Sequence, residues 1–173
     1  MGARTFDATV LPHLDAAFNF ARWITRNDAD AEDVVQDACV RALRYFPTLR
    51  DGDPRAWLFA IVRNTWYSRV ARRSESTGTA SADDRRVEPL DDGPDPETLL
   101  LRQDTVLRVR GAIEQLPVEF REVLVLREME GLSYKEIATV VRVPIGTVMS
   151  RLARARERLQ NALIPADPME TLP

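Results

Sequence analysis

Near the C-terminal end of the chain, arginines recur at a spacing suited to gripping nucleic acid. Thr147, Arg151, Arg154 and Arg158 are three or four residues apart, so a helix places them on one face. Val148, Leu152, Ala155 and Leu159 fall on a second face, roughly 90° away by the helical repeat. One helix can therefore pack inward and read outward at once. Arginine suits the outward face, because its planar fork makes paired hydrogen bonds to phosphate oxygens or guanine edges. From Arg142 to Arg158 there are five arginines and one acid, a local charge of +4 in a chain of net charge −3. A basic patch on an acidic protein is a more specific sign of nucleic-acid binding than overall charge. A solvated amphipathic face is the plainer alternative.

A second basic stretch, Arg63-Asn-Thr-Trp-Tyr-Ser-Arg-Val-Ala-Arg-Arg73, holds four arginines and no acid, with Trp66 and Tyr67 between them. Cations can follow a sugar–phosphate backbone while rings stack on unpaired bases. One of the two aromatics is expected to belong to the core instead. A third cluster, Asp28-Ala-Asp-Ala-Glu-Asp-Val-Val-Gln-Asp37, puts acids at a helix start, where they complement the positive end of the dipole. Protein docking is its functional reading. A metal site is disfavoured: the only histidine, His13, is distant in sequence, and no loop has calcium-ligand spacing. No metal, cofactor or catalytic residue is expected.

The arginine-bearing helix needs a partner to seat it. Ser133 and Glu136 form an S-x-x-E capping box, so a helix should start at Tyr134, with Ile137, Val140 and Val141 on its buried side. Pro144 cannot continue that helix but suits the opening of the next, from about Ile145. The pattern is a helix-turn-helix over about 133–153.

Hydrophobic residues make up 45% of the 173 positions, enough for a core, while glycine and β-branched runs are scarce. The expected class is all-α, with two small helical domains joined by a flexible acidic linker. Residues 4–73 form the first domain. Phe6, Val10, Leu14, Phe18, Ala21 and Ile24 recur at helical spacing, and Asn27 to Asp30 can cap the next helix. Val35, Ala38, Leu43 and Phe46 are expected on the inner side of that helix, with Cys39 beside them. Pro47 to Pro54 reads as a loop, followed by a helix burying Trp57, Leu58, Ile61, Val62 and Thr65. Residues 74–96 are the linker, with seven acids against two arginines between Asp83 and Glu97. Residues 97–163 form the second domain. Leu100, Val106, Val109 and Ile113 mark its first helix, and Pro117 opens another carrying Phe120, Val123, Leu124 and Leu126. Residues 164–173 are a loose tail. There is no apolar stretch of membrane-spanning length and no signal-peptide core, and a single cysteine excludes an internal disulfide. A cytoplasmic protein, monomeric when free, is expected.

Taken in order, Asp30-Ala-Glu-Asp-Val-Val-Gln-Asp-Ala, Pro54-Arg-Ala-Trp-Leu-Phe-Ala-Ile-Val-Arg-Asn-Thr, Leu116-Pro-Val-Glu-Phe-Arg-Glu-Val and Gly131-Leu-Ser-Tyr-Lys-Glu-Ile-Ala resemble the extracytoplasmic-function (ECF) sigma factors of bacterial RNA polymerase. The likeness runs from about residue 6 to 163. It implies a non-catalytic specificity subunit that binds core polymerase, directs it to promoters and assists melting. By the resemblance, the first domain is sigma region 2. Its acidic helix, about residues 30–43, would dock on the β′ clamp helices through Asp30, Glu32, Asp33, Gln36 and Asp37, and the β subunit would also be contacted. Leu49, Arg50 and Asp51 would hold a flipped base of the minus-ten element, with Arg63, Asn64, Trp66, Tyr67 and Arg69 upstream of it. The second domain is region 4, whose Ser133, Tyr134, Thr147, Met149, Ser150, Arg151, Arg154 and Arg158 would meet the minus-thirty-five element as duplex. The linker would thread the polymerase cleft and RNA exit channel. An anti-sigma factor clamped between the domains is implied as well. Met149 departs from the family, which often has Arg or Lys there, and puts the usual promoter preference in question.

Two other classes fit parts of the chain. A free-standing helix-turn-helix regulator uses Ser133 to Arg158 but leaves the acidic helix unused, and such proteins usually bind as dimers. A carboxylate–metal hydrolase on Asp30, Glu32 and Asp33 lacks any accompanying nucleophile–base set or phosphate loop.

Overall fold

The computed structural model describes residues 4–77 and 96–164. Every regular element among them is helical: α1 (Phe6–Thr9), α2 (Leu14–Thr25), α3 (Asp28–Tyr45), α4 (Pro54–Thr77), α5 (Pro96–Glu114), α6 (Val118–Leu124), α7 (Tyr134–Val141) and α8 (Ile145–Leu163). Short 3-10 turns cover Leu11–His13 and Phe46–Thr48, and a π-helical turn covers Val125–Met129.

In the N-terminal half, α2, α3 and α4 pack together around Ala17, Phe20, Ala21, Ile24, Ala31, Val34, Ala38, Leu58, Phe59 and Val62. The Phe20 and Phe59 rings meet at 5.3 Å. The expected first stripe is broken in two, because Pro12 forces a 3-10 turn and resets the register. Val10, Ala21 and Ile24 are buried as expected, but Phe20 replaces Phe18 as the central ring. Small residues line the inner face of α3 and let it approach α2 and α4 closely. Leu43, expected inside, is 60% exposed, and Ala42 takes its place.

Helix boundaries follow local chemistry. The Asn27 side chain caps α3 by accepting from the Asp30 backbone N–H at 2.9 Å. Asp53 accepts from Arg55 N–H at 2.9 Å, which places Pro54 at the first position of α4. Helix α4 continues to Thr77, so residues 74–77 of the expected linker are helical. The remaining expected linker, up to residue 95, and the expected tail from 165 lie outside the described residues.

In the C-terminal half, α6 is flanked by α8 and α2. All of Arg121 to Leu126 is buried, more than the single inner stripe expected. The π-helical turn shifts the side-chain register and keeps Val125 and Leu126 inside. Val106 on α5 is 64% exposed, contrary to expectation, whereas Ile113 near its end is buried. Helices α2 and α7 both end on an arginine in the left-handed region, Arg26 and Arg142, each at φ 57°. The halves touch directly, α4 against α7 and α2 against α6.

Candidate nucleic-acid and polymerase interface

The capping box forms as the sequence predicts. Ser133 Oγ accepts from Glu136 N–H at 3.2 Å, and Ser133 N–H donates to Glu136 Oε2 at 2.7 Å. Helix α7 stops at Arg142, and α8 begins three residues later. Val148, Leu152 and Ala155 bury the inner face of α8. Its outer face carries Met149, Ser150 and Arg154, all exposed, with Thr147 partly covered. Met149 is 52% exposed, so its thioether is presented outward.

The arginine row is less uniform than its spacing suggests. Arg151 turns inward, 3.9 Å from Glu122. Arg158 lies over the Phe120 ring at 5.1 Å. Arg156, not foreseen from sequence, pairs with Glu128 at 2.6 Å and braces α8 against the π-helical turn. Arg127 covers the Tyr134 ring at 4.8 Å and donates to the Leu132 carbonyl at 2.8 Å, fixing the entry to α7.

The acidic and basic clusters of the N-terminal half are one assembly. Arg69 Nη1 meets Asp37 at 2.6 Å and its Nη2 meets Asp33 at 3.3 Å. Arg73 meets Asp30 at 2.9 Å. Asp30 is therefore a buried, paired group and not an exposed member of the acidic edge. Glu32 and Gln36 are exposed on the outer side of α3, next to Val40 and Leu43. Together with Asp33 and Asp37 they form an acidic edge beside an apolar strip.

Of the two aromatics, Trp66 is the core residue, at 7% exposure; its ring is not presented for stacking on a base in this conformation. Tyr67 is half-buried, with the Arg63 guanidinium 4.5 Å above its ring. Asn64 is partly buried on the same helix. Leu49 to Asp51 form an irregular segment before α4, and the Arg50 carbonyl accepts from Arg4 at 3.3 Å.

Sequence reasoning missed Glu122. It is fully buried, and Arg63 grips it with two hydrogen bonds of 2.8 and 2.9 Å. Tyr67 donates its hydroxyl to the same carboxylate at 3.2 Å. A signal was available: Arg121 and Glu122 interrupt the apolar run from Phe120 to Leu126, and charges inside a buried run need partners. Arg121 donates to the Glu114 and Leu116 carbonyls at 2.9 and 2.8 Å. Burial, reinforced by the negative Glu122 and opposed by Arg63, pushes the Tyr67 phenol up to about 12. Burial by itself would lower the Arg63 guanidinium, but hydrogen bonding and charge from Glu122 outweigh it and hold the group above its ordinary value.

The two halves match two family models, Sigma-70 region 2 over residues 9–76 and Sigma-70 region 4 over residues 107–159. The chain is 36% identical to the RNA polymerase sigma-H factor of Pseudomonas aeruginosa, covering 94% of this chain and 88% of that one. It is 35% identical to the ECF RNA polymerase sigma-E factor of Escherichia coli, covering 79% and 75%. The chain belongs to the ECF sigma factors. This sigma factor is thus a non-enzymatic subunit that serves transcription initiation by RNA polymerase. Its fold is similar to that of the sigma factor RpoE from Bartonella quintana, solved with the anti-sigma factor NepR, at TM-score 0.76 and 28% identity over 94% of this chain and 98% of that one. CnrH, solved with the cytosolic domain of CnrY, is similar at TM-score 0.59 and 29% identity over 91% and 86%. Among the described residues of this sigma factor, no group of His, Cys, Asp and Glu is placed to hold a metal ion, and no helix is long and apolar enough to cross a membrane.

Proposed function

We propose that this sigma factor docks on core RNA polymerase through the outer edge of α3 and reads promoter DNA with α4 and α8. The acidic edge of Glu32, Asp33, Gln36 and Asp37, with exposed Val40 and Leu43 alongside, suits a basic and partly apolar helical surface such as the β′ clamp helices. Asp30 holds α4 against α3 through Arg73 and supports that edge from inside. The β subunit is the second expected polymerase contact. All of this takes place in the cytoplasm, where the polymerase works.

On α8, Arg154 and Ser150 are assigned to base and phosphate contacts of the duplex minus-thirty-five element, with Thr147 at the helix start. Ser133 and Tyr134 approach the DNA backbone from the start of α7. Arg158 extends that surface, and Arg151 joins it on turning away from Glu122. Met149 reads differently from an arginine: the apolar group presented in the major groove is the thymine methyl, so Met149 favours an A·T pair at its position. On the other half, Leu49 to Asp51 receive a flipped base of the minus-ten element. Arg63, Asn64, Tyr67 and Arg69 follow the unpaired strand, and Trp66 sets their helix from the core. Opening is driven by tighter binding to melted than to closed DNA, so no bond chemistry is required of the chain. An anti-sigma factor is the regulator that this reading calls for, as in the RpoE–NepR structure.

The observation that carries this reading is α8 itself. Its inner face is seated on the C-terminal core by Val148 and Leu152, and its outer face leaves Met149, Ser150 and Arg154 exposed within the segment matching region 4. Size-exclusion chromatography with bacterial core polymerase is the test. Stoichiometric co-elution is expected, as is its loss in Asp33→Arg with an unchanged circular dichroism spectrum. Undiminished co-elution of the folded variant would remove α3 as the docking edge.

A further inference from the structure

Arg142 closes the turn between α7 and α8 in a backbone conformation that glycine suits better. Its φ is 57°, in the left-handed region, where a side chain is strained. The turn itself needs only backbone groups: the Arg142 and Val143 N–H groups both donate to the Ala138 carbonyl, the second at 3.2 Å. The Arg142 side chain is exposed, and among the described residues nothing pairs with it. Arg26 has the same φ but is partly buried, at a small cleft beside Trp23 and Asn27. Packing gives that arginine a use inside the fold, whereas Arg142 has none. A strained residue that serves nothing inside the molecule points to a ligand outside it. We propose that Arg142 binds a phosphate of the minus-thirty-five duplex, anchoring the DNA backbone where the first turn of α8 enters the groove. The inference rests on the reading of α8 as the helix that reads DNA.

The distribution of charge around the turn supports this role. The start of α8 has no cation of its own, because Ile145-Gly-Thr-Val-Met-Ser150 is uncharged. The first arginine of the helix, Arg151, is drawn to within 3.9 Å of Glu122. Arg154 lies about 13 Å beyond Ile145 along the axis by the helical rise. Arg142, three residues before Ile145, places a positive charge at the end that lacks one. On α7, exposed Lys135 and Thr139 lead to Arg142 at spacings of four and three, so they share one edge of the helix. Glu136, the only acid of α7, is tied into the capping box. That edge is therefore cationic at both ends and carries no carboxylate of its own.

Phosphate fits this position better than a base edge. Arg142 belongs to the turn, apart from the outer face of α8 where Met149 and Ser150 are presented. A group beside the reading helix meets the rim of the groove, where the sugar–phosphate backbone runs, and contacts there fix register without reading sequence. The arginine fork grips two phosphate oxygens at once. The left-handed backbone, held by its two bonds to Ala138, also fixes the direction in which the side chain leaves the turn. Less freedom is then lost when the contact forms.

The test uses the full-length chain assembled with bacterial core RNA polymerase. Duplexes enriched from a random pool by the wild-type complex are titrated by fluorescence anisotropy over a salt series. Arg142→Gly is expected to bind roughly eightfold more weakly at about 0.1 M salt, with a log–log salt slope smaller by about one, as loss of a single phosphate contact requires. The loss should be the same for every enriched sequence. Its Tm should equal or exceed that of the wild type, because glycine relaxes the turn. Arg142→Gln keeps the backbone demand and removes the charge, so it should lose affinity equally, and Arg142→Lys should restore the slope. Arg154→Ala is the control for α8. If it weakens binding while the folded Arg142→Gly and Arg142→Gln keep the wild-type slope, Arg142 is no phosphate contact and the reading of α8 stands. If neither position matters, the reading of α8 falls and the proposal with it. A loss confined to some of the sequences would overturn the phosphate assignment in favour of a base contact.

Discussion

The two halves of this sigma factor place their charges by different means. In the C-terminal half, α7 and α8 are set by local signals: a capping box, a left-handed stop at Arg142 and a proline before the next helix. Arg154 is presented outward as its spacing implies. In the N-terminal half, the basic run of α4 meets acids from elsewhere in the chain. Arg69 is held by Asp33 and Asp37, Arg73 by Asp30, and Arg63 by Glu122. Charge read along a sequence tells where cations are, whereas tertiary pairing decides which of them a ligand can reach.

The largest expected effect tests whether the N-terminal half depends on one centre. Phe20→Ala removes the ring packed on Phe59 and should cost about 3–5 kcal/mol, measured by urea denaturation. A cost below about 1 kcal/mol would mean that the small-residue interface of α3 carries the half instead. Next, Arg154→Ala should weaken binding to the cognate minus-thirty-five duplex by about 1–3 kcal/mol in fluorescence anisotropy. The same change at Arg69 should affect duplex binding less, because that side chain is already engaged by two carboxylates. Equal losses would erase the contrast between the halves.

A smaller effect compares the caps. Ser133→Ala and Asn27→Ala should each cost about 1 kcal/mol in thermal denaturation, because each removes an acceptor for an otherwise unpaired helix N–H. The smallest effect is spectroscopic. Tyr67 should ionise near pH 12 in an ultraviolet titration, and that late step should vanish in Tyr67→Phe. The sign follows from the raised value. The folded form holds the phenolic proton more tightly than the unfolded chain, so this contribution to stability is full below pH 10 and is lost as pH rises through about 12.

Much of the fold was legible because its punctuation is local. Asn27, Pro54, Ser133 with Glu136, and Pro144 mark helix starts within a residue or so, and hydrophobic spacing gave the inner faces of α7 and α8. Leu43 and Val106 were misplaced because apolar spacing alone does not say which of two adjacent stripes meets a neighbour. Phe18 and Phe20 were exchanged because Pro12 resets the register of α2. Among the site residues, the exposure of Ser150, Met149 and Arg154 followed from one helix. The burial of Asp30, Trp66 and Glu122 depended on how distant helices meet, which spacing along the chain does not encode.

The two left-handed arginines have a mechanical consequence. A side chain in that region is strained where glycine would be relaxed, by roughly 1–2 kcal/mol, yet Arg26 and Arg142 end the helices that precede α3 and α8. Glycine at these corners would turn easily in many directions. Arginine leaves few alternatives, so each corner acts as a bracket and not as a pivot. If α8 reads DNA as proposed, such a bracket would pass strain from bent or melting DNA to the body of the protein, where a looser joint would absorb it.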